Sequence, residues 1–215
     1  SYMRLRPAQL IILLTTLLLS GSLTVRSQEL RAVLSHYSAE DGMTSNTISD
    51  IKTDAYGFIW IASWNGFSRF DGYEFYNYPT GNASGIPLMH NRIAELCIDN
   101  GQNVWLRMYD GRVFVVKRSI DRIINPFEKI NGSDDFVTKH PITVTSAGDV
   151  LVNVDGVGLY KMRIRRDDVD AQFITTSGLT ISSMAEGYQN DVWLGTDKGV
   201  HRLDVSNLTV EHKGV

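Results

Sequence analysis

The sequence predicts an all-β fold assembled from repeated four-stranded antiparallel units. Three observations carry that prediction. First, a tryptophan-centred pattern recurs: Trp60 and Trp105 are 45 residues apart, and Trp193 lies 88 residues further on, two steps of 44. Second, short apolar and alternating runs are separated by turn pairs such as Tyr56-Gly57, Asn65-Gly66 and Asp71-Gly72. Third, nothing after residue 27 has helical periodicity. Four short strands every 44 residues or so is the layout of a β-propeller blade.

Residues 1–27 stand apart from this pattern. Arg4 and Arg6 precede the apolar run 8–19, and a small, polar stretch follows it. That order is the layout of a secretory signal peptide, and the run is shorter than the roughly 20 residues a membrane-spanning helix needs. Next, "LRAVLSHYS" (30–38) is expected to form an extra strand ahead of the first unit, one that would complete the last blade of a whole propeller and fasten the ring. The first unit covers 41–78. In it "TISDIKT" (47–53) alternates, "FIWIAS" (58–63) is almost continuously apolar, and "FSRF" (67–70) and "YEFYNY" (73–78) alternate again. Alternation marks half-buried strands, and the continuous run marks one buried on both faces.

The other units follow by alignment. Ile48, Ile93 and Ile181 fall twelve positions before their tryptophans; Ile51, Leu96 and Met184 fall nine before. Gly66, Gly111 and Gly199 fall six after. The second unit is 87–118 and the fourth 178–212. The third, 136–164, is degenerate: it places Gly148 on Gly57 and Leu151 on Trp60, with one extra residue before Gly158. Glycines such as Gly57 supply the positive φ that tight turns need. The tryptophans are expected to fill the wedge between neighbouring blades.

Composition narrows the function classes. The chain is 43% hydrophobic and 21% charged, enough to bury a core. Setting aside Arg4, Arg6 and Arg26 of the leader leaves 18 basic against 24 acidic residues, a net charge of −6. That argues against nucleic acid as a partner. The lone Cys97 cannot form an internal disulfide, which fits an exported bacterial envelope protein better than a disulfide-stapled secreted domain. It aligns with Lys52 on a first strand, so a structural or half-exposed thiol is expected there.

The stretch "EDGMTSNTISDIKTDAYGFIWIASWNGFSRFDGYEFYNY" (40–78) resembles the two-component regulator propeller repeat. Asp41, Gly42, Ser45, Asn46, Ile48, Ile51, Asp54, Gly57, Trp60, Ile61, Gly66, Arg69, Asp71 and Gly72 carry the likeness. "NDVWLGTDKGVHRLD" (190–204) is a second good match. The resemblance implies the periplasmic sensor region of a hybrid two-component histidine kinase regulator of the Bacteroidetes type. Such regions detect glycan fragments and direct transcription of glycan-degrading genes. Family propellers have about seven blades, so residues 28–215 are expected to be part of a larger propeller, and the chain the N-terminal portion of a longer, inner-membrane-anchored sensor. A homodimer is one arrangement of that full-length sensor. A secreted glycan lyase or hydrolase and a protein-binding scaffold are the alternatives.

The residues offer little catalysis. His36, His90, His140, His201 and His212 are scattered, and no H-E-x-x-H, C-x-x-C, G-x-S-x-G or P-loop motif occurs. The chain is therefore expected to be no enzyme by itself and to need no cofactor or metal. "RIRRDDVD" (163–170) reads as a solvated linker, His201 as surface or structural, and Asp54 and Asp71 as turn residues. Binding is the better prospect. The turns between second and third strands share a face with the links between blades, and loops on a rigid scaffold carry recognition. The candidates are Trp64 and Asn65; Arg107, Met108, Tyr109 and Asp110; Asn153 and Asp155; Asp197 and Lys198. The links add Asn46 and "HNR" (90–92). Aromatic faces with amide, carboxylate and guanidinium groups suit an oligosaccharide. Trp64 is the sharpest candidate, because the family has a small or polar residue there.

Overall fold

A computed structural model describes residues 33–78, 92–166, 168–176 and 178–212, with positions 7, 8, 11 and 15. The expected signal peptide therefore lies outside the described residues apart from those four positions. Among the described residues no helix is long and apolar enough to cross a membrane.

Among the described residues, sixteen strands form four antiparallel sheets, each a meander in chain order. The first holds β1 (Ile48–Thr53), β2 (Ile59–Ser63), β3 (Gly66–Phe70) and β4 (Phe75–Asn77). The second holds β5 (Ile93–Ile98), β6 (Val104–Met108), β7 (Val113–Lys117) and β8 (Arg122–Ile124). The third holds β9 (Thr143–Val144), β10 (Val150–Val154), β11 (Gly158–Ile164) and β12 (Val169–Ile174). The fourth holds β13 (Ile181–Glu186), β14 (Asp191–Thr196), β15 (Gly199–Asp204) and β16 (Thr209–His212). These are four propeller blades. The second and third continue past residues 118 and 164, because their outer strands β8 and β12 have no repeat signature. "RIRRDDVD" is consequently no linker: it ends β11, turns, and begins β12, where Arg163 pairs with Asp170 and Ile164 with Val169.

The extra strand expected over 30–38 does not form over the described residues 33–38. Ser38 instead caps a 3-10 turn, Ala39–Asp41, in a reciprocal capping box with Asp41. Tyr37 packs its ring 4.9 Å from Phe70 and 5.9 Å from Phe75.

The core lies between blades. Along a strand, side chains alternate between faces, so a central strand serves two interfaces at once. On β6, Val104 and Leu106 face the first blade with Trp60, while Trp105 faces the third with Val150 and Val152. On β10 the pattern advances one blade, and Leu151 joins Leu194 and Leu203 of the fourth. Trp60 and Trp105 are fully buried, as the wedge reading requires. Trp193 occupies the same repeat position but is 39% exposed, because no blade among the described residues packs on that side. Ile51 is 54% exposed for the mirror reason: the residue nine before the tryptophan faces the preceding blade.

One buried carboxylate organises each of the first two blades. Asp54 Oδ1 accepts from Tyr56 N at 2.9 Å and Phe58 N at 3.0 Å, while Oδ2 accepts from Trp60 Nε1 at 2.9 Å. Asp99 repeats this, taking Asn103 N at 2.9 Å and Trp105 Nε1 at 3.0 Å. The β1–β2 turn and the wedge side chain are thus tied to one group. Three residues before each tryptophan, or before Leu151, the backbone takes positive φ: Gly57 at 88°, Gln102 at 62°, Gly148 at 85° and Asn190 at 66°. Glycine is the usual occupant, and the turn tolerates Asn and Gln at a modest cost.

Neighbouring blades are also stitched by a carboxylate. Asp50 Oδ2 accepts from Leu96 N at 2.9 Å, and Glu95, its repeat equivalent, accepts from Ile142 N at 3.4 Å. Pro141 holds that position in the third blade and has no such group, so Asn153 Nδ2 bonds Ile181 O at 3.4 Å instead.

Two outcomes follow. Asp54→Ala strands three donors, one of them the buried indole, and lowers unfolding free energy in urea by about 3 kcal/mol; Asp71→Ala, which opens an exposed turn, loses much less. Cys97 sits on β5 against the second interface, and burial holds its thiol well above the usual range. At pH 8 it should resist a disulfide-exchange reagent in the native protein and react promptly in urea.

Candidate functional site

The candidate face is built from one repeated hydrogen bond. Four residues after the tryptophan position stands the first residue of the β2–β3-type turn: Trp64, Tyr109, Asp155 and Asp197. Each donates its backbone N–H to the link that enters its own blade. Trp64 N bonds Thr47 O at 3.1 Å, Tyr109 N bonds Arg92 O at 3.0 Å, Asp155 N bonds Val137 O at 2.9 Å and Asp197 N bonds Thr180 O at 3.1 Å. Turn and link are locked together in every blade, so their side chains share one face.

The first two blades form an aromatic half. Trp64 is 50% exposed and Tyr109 70%. The Arg92 guanidinium lies 4.6 Å from the Trp64 ring centre, a cation–π contact across the blade boundary. Asn65 donates from Nδ2 to Thr44 O at 3.4 Å. Asn46 accepts from Ala39 N at 2.6 Å, which ties this link to the capped turn. Of the expected link segment 90–92, only Arg92 is among the described residues.

The last two blades form a polar half. A cleft of about 530 Å³ opens between them, lined by Lys139, Asn153, Asp155, Thr176, Thr180 and neighbouring turn residues. Asp197 Oδ1 accepts from Thr180 N at 2.8 Å, and Lys198 Nζ donates to Gly178 O at 3.3 Å, so both flank the cleft. The three-residue turn 155–157 accommodates the extra residue of the third unit, since Val154 pairs with Gly158.

A link joins the halves. Thr138 N donates to Gly111 O at 2.8 Å, and a Cβ at Gly111 would come within 3.0 Å of Thr138 O and Val137 Cβ. Glycine is therefore required there both by its φ of 89° and by the close approach of the link.

Two expected contacts are occupied within the fold. Arg107 Nε lies 2.8 Å from Glu95 Oε2, the same oxygen that accepts from Ile142 N. Asp110 Oδ1 accepts from Arg112 N at 3.0 Å, closing its own turn. Met108 is buried in the first interface. His201, expected to be surface or structural, is buried on β15, with Nδ1 3.3 Å from Thr196 Oγ1. Lys139 and Thr176 have no repeat signature to mark them; Thr180 stands thirteen before Trp193, as Thr47 and Arg92 stand before Trp60 and Trp105, and that register could have found it. Among the described residues no group of three or more His, Cys, Asp or Glu is placed to hold a metal ion.

Acrylamide quenching tests this geometry. Trp64 and Trp193 should be quenched while Trp60 and Trp105 stay shielded, and a Trp64→Phe, Trp193→Phe protein should lose nearly all accessible emission.

Comparison with known proteins agrees with this architecture. Residues 42–65 match the family described as two component regulator propeller. The extracellular domain of a protein described as a hybrid two component system, BT3049 from B. thetaiotaomicron, superposes with a TM-score of 0.59 at 18% identity, covering 84% of this chain and 26% of that one. A second such extracellular domain, BT4673 from the same organism, gives 0.49 at 15% identity over 80% of this chain and 30% of its own. Virginiamycin B lyase from Staphylococcus aureus gives 0.53 at 17% identity, covering 79% of this chain and 56% of that one. No curated protein matches the sequence. The chain spans about a quarter of the length of the first of these structures. At these identities the superpositions with TM-scores of 0.59 and 0.53 establish the β-propeller fold alone, and residues 42–65, which include β1 and β2 of the first blade, are similar to the two component regulator propeller repeat.

Proposed function

We propose that this chain is the ligand-sensing propeller region of a hybrid two-component sensor histidine kinase, exported to the periplasm, and that its ligand is an oligosaccharide fragment. The observation that carries the reading is the two component regulator propeller match over residues 42–65, whose last two residues are the Trp64-Asn65 turn itself. The chemistry of the face supports a sugar. Exposed aromatic rings at Trp64 and Tyr109 can pack on pyranose faces, and the carboxylates, amides and hydroxyls beyond them suit ligand hydroxyls.

The mechanism is a population shift. Turns and links are locked by one hydrogen bond per blade, so a ligand bridging them favours one arrangement of the blades over others. Its differential affinity for that arrangement is all that can be passed to signalling domains.

Isothermal titration of the protein against neutral and uronate-containing oligosaccharides tests the reading. At least one should bind, and Trp64→Ala should weaken that binding about tenfold, or ~1.4 kcal/mol, with little change in melting temperature. If no oligosaccharide binds, or if Trp64→Ala and Tyr109→Ala both retain full affinity, the sugar reading is wrong.

A further inference from the structure

The cleft between the third and fourth blades contains an acceptor to which no described residue supplies a donor. Asp155 Oδ2 is buried and receives no hydrogen bond from the described residues. Its companion Oδ1 takes only a long bond, 3.4 Å from Lys139 N. Lys139 Nζ stands 3.7 Å from Oδ2, close enough for an ion pair and too far for a hydrogen bond. The lysine side chain is 81% exposed and the aspartate side chain 21%. The fold thus keeps a carboxylate oxygen under a solvated lysine arm that covers it without satisfying it.

The energetics favour exchange. An ion pair with one highly exposed partner is screened by water and contributes little. A buried acceptor lacking its hydrogen bond costs more than such a pair returns. A ligand hydroxyl that moves the arm aside and donates to Oδ2 therefore gains a charge-assisted hydrogen bond and gives up a weak contact. The arm has water to move into, so its displacement needs no change in the blades.

The surroundings indicate which ligand fits. Asp155 and Asp197 carry two negative charges around the cleft, and Lys139 and Lys198 two positive ones, so the local charge cancels. Asn153, Thr176 and Thr180 add neutral polar groups, the first two of them more than nine-tenths buried. A volume of about 530 Å³ is in the range of sites that enclose small ligands.

We propose that this cleft is the sugar subsite of the face, that Asp155 is its specificity-determining acceptor for hydroxyls of a neutral pyranose, and that Lys139 is the arm displaced on binding. The inference rests on the oligosaccharide reading above and adds the subsite and the ligand class. Neutral hexasaccharides are favoured over uronates because a ligand carboxylate would meet Asp155 once the lysine has moved.

Calorimetric titration with cellohexaose, maltohexaose, xylohexaose and hexagalacturonate tests it, on the unaltered protein and on four variants. Asp155→Ala should weaken the neutral hexasaccharide that binds best about tenfold, and the isosteric Asp155→Asn about threefold with an unchanged melting temperature. Lys139→Ala should tighten it about twofold, because no arm has to be displaced. If Asp155→Ala and Asp155→Asn bind normally while Trp64→Ala still weakens binding, this subsite is wrong and the sugar reading stands. A preference for hexagalacturonate, or weaker binding by Lys139→Ala, overturns the assignment of a neutral ligand or of the lysine arm. If none of the four probes binds the unaltered protein, the sugar reading falls and takes the subsite with it.

Discussion

The bond from Trp60 Nε1 to Asp54 Oδ2 joins two demands that would otherwise compete. A blade interface needs a large flat side chain with no solvent contact, and an indole brings a polar N–H into that dry space. Asp54 meets the N–H and with its other oxygen holds two amides of the β1–β2 turn. The wedge and the turn then stand or fall together. Asp99 does the same for Trp105. The fourth blade has no such carboxylate, and its tryptophan borders no following blade among the described residues. Gly187 stands in the carboxylate's place, the indole Nε1 occupies the space a Cβ would need at 2.6 Å, and Trp193 remains partly exposed.

From that anchor the rest of the architecture follows by alternation. A central strand with both faces buried must carry apolar residues at nearly every position, and β6, β7 and β10 do. Odd and even positions serve different interfaces, so the second and third blades each pack on a predecessor with one set of side chains and on a successor with the other. The carboxylates of Asp50 and Glu95 add a directional stitch between blades, and Asn153 substitutes where Pro141 breaks the series. A scaffold assembled this way is stiff at its strands and free to vary at its turns. That freedom is why the residue four beyond the tryptophan can be Trp, Tyr, Asp or Asp without disturbing the hydrogen bond its backbone makes.

Much of the candidate face was legible because it obeys the repeat. Aligning the tryptophans placed Trp64, Tyr109, Asp155 and Asp197 at equivalent turns, and the structure brings their backbones to equivalent bonds. The availability of each side chain was not legible. Arg107 is variable in the alignment, yet Glu95 lies opposite it across β5 and β6 and holds its guanidinium. Lys139 sits in the long link between β8 and β9, where the repeat register is lost, and only the folded path of that link lays it over Asp155.

The sequence by itself determined the repeat unit, the strand content, the turn glycines and the tryptophan wedge, because each is enforced by local backbone geometry or by a residue's own size and polarity at a fixed period. It missed the outer strands β8 and β12, which are held by edge pairing to β7 and β11 more than by any pattern of their own. It also placed a strand ahead of the first unit where residues 33–38 run to a capped turn. Tertiary structure alone decided which carboxylates are committed to the fold and which face a cleft. That choice depends on partners 12 to 47 positions away in sequence, such as Arg107 for Glu95 and Ile142 for the same oxygen. Periodicity records which face a residue points to; it carries no record of which distant group will meet it there.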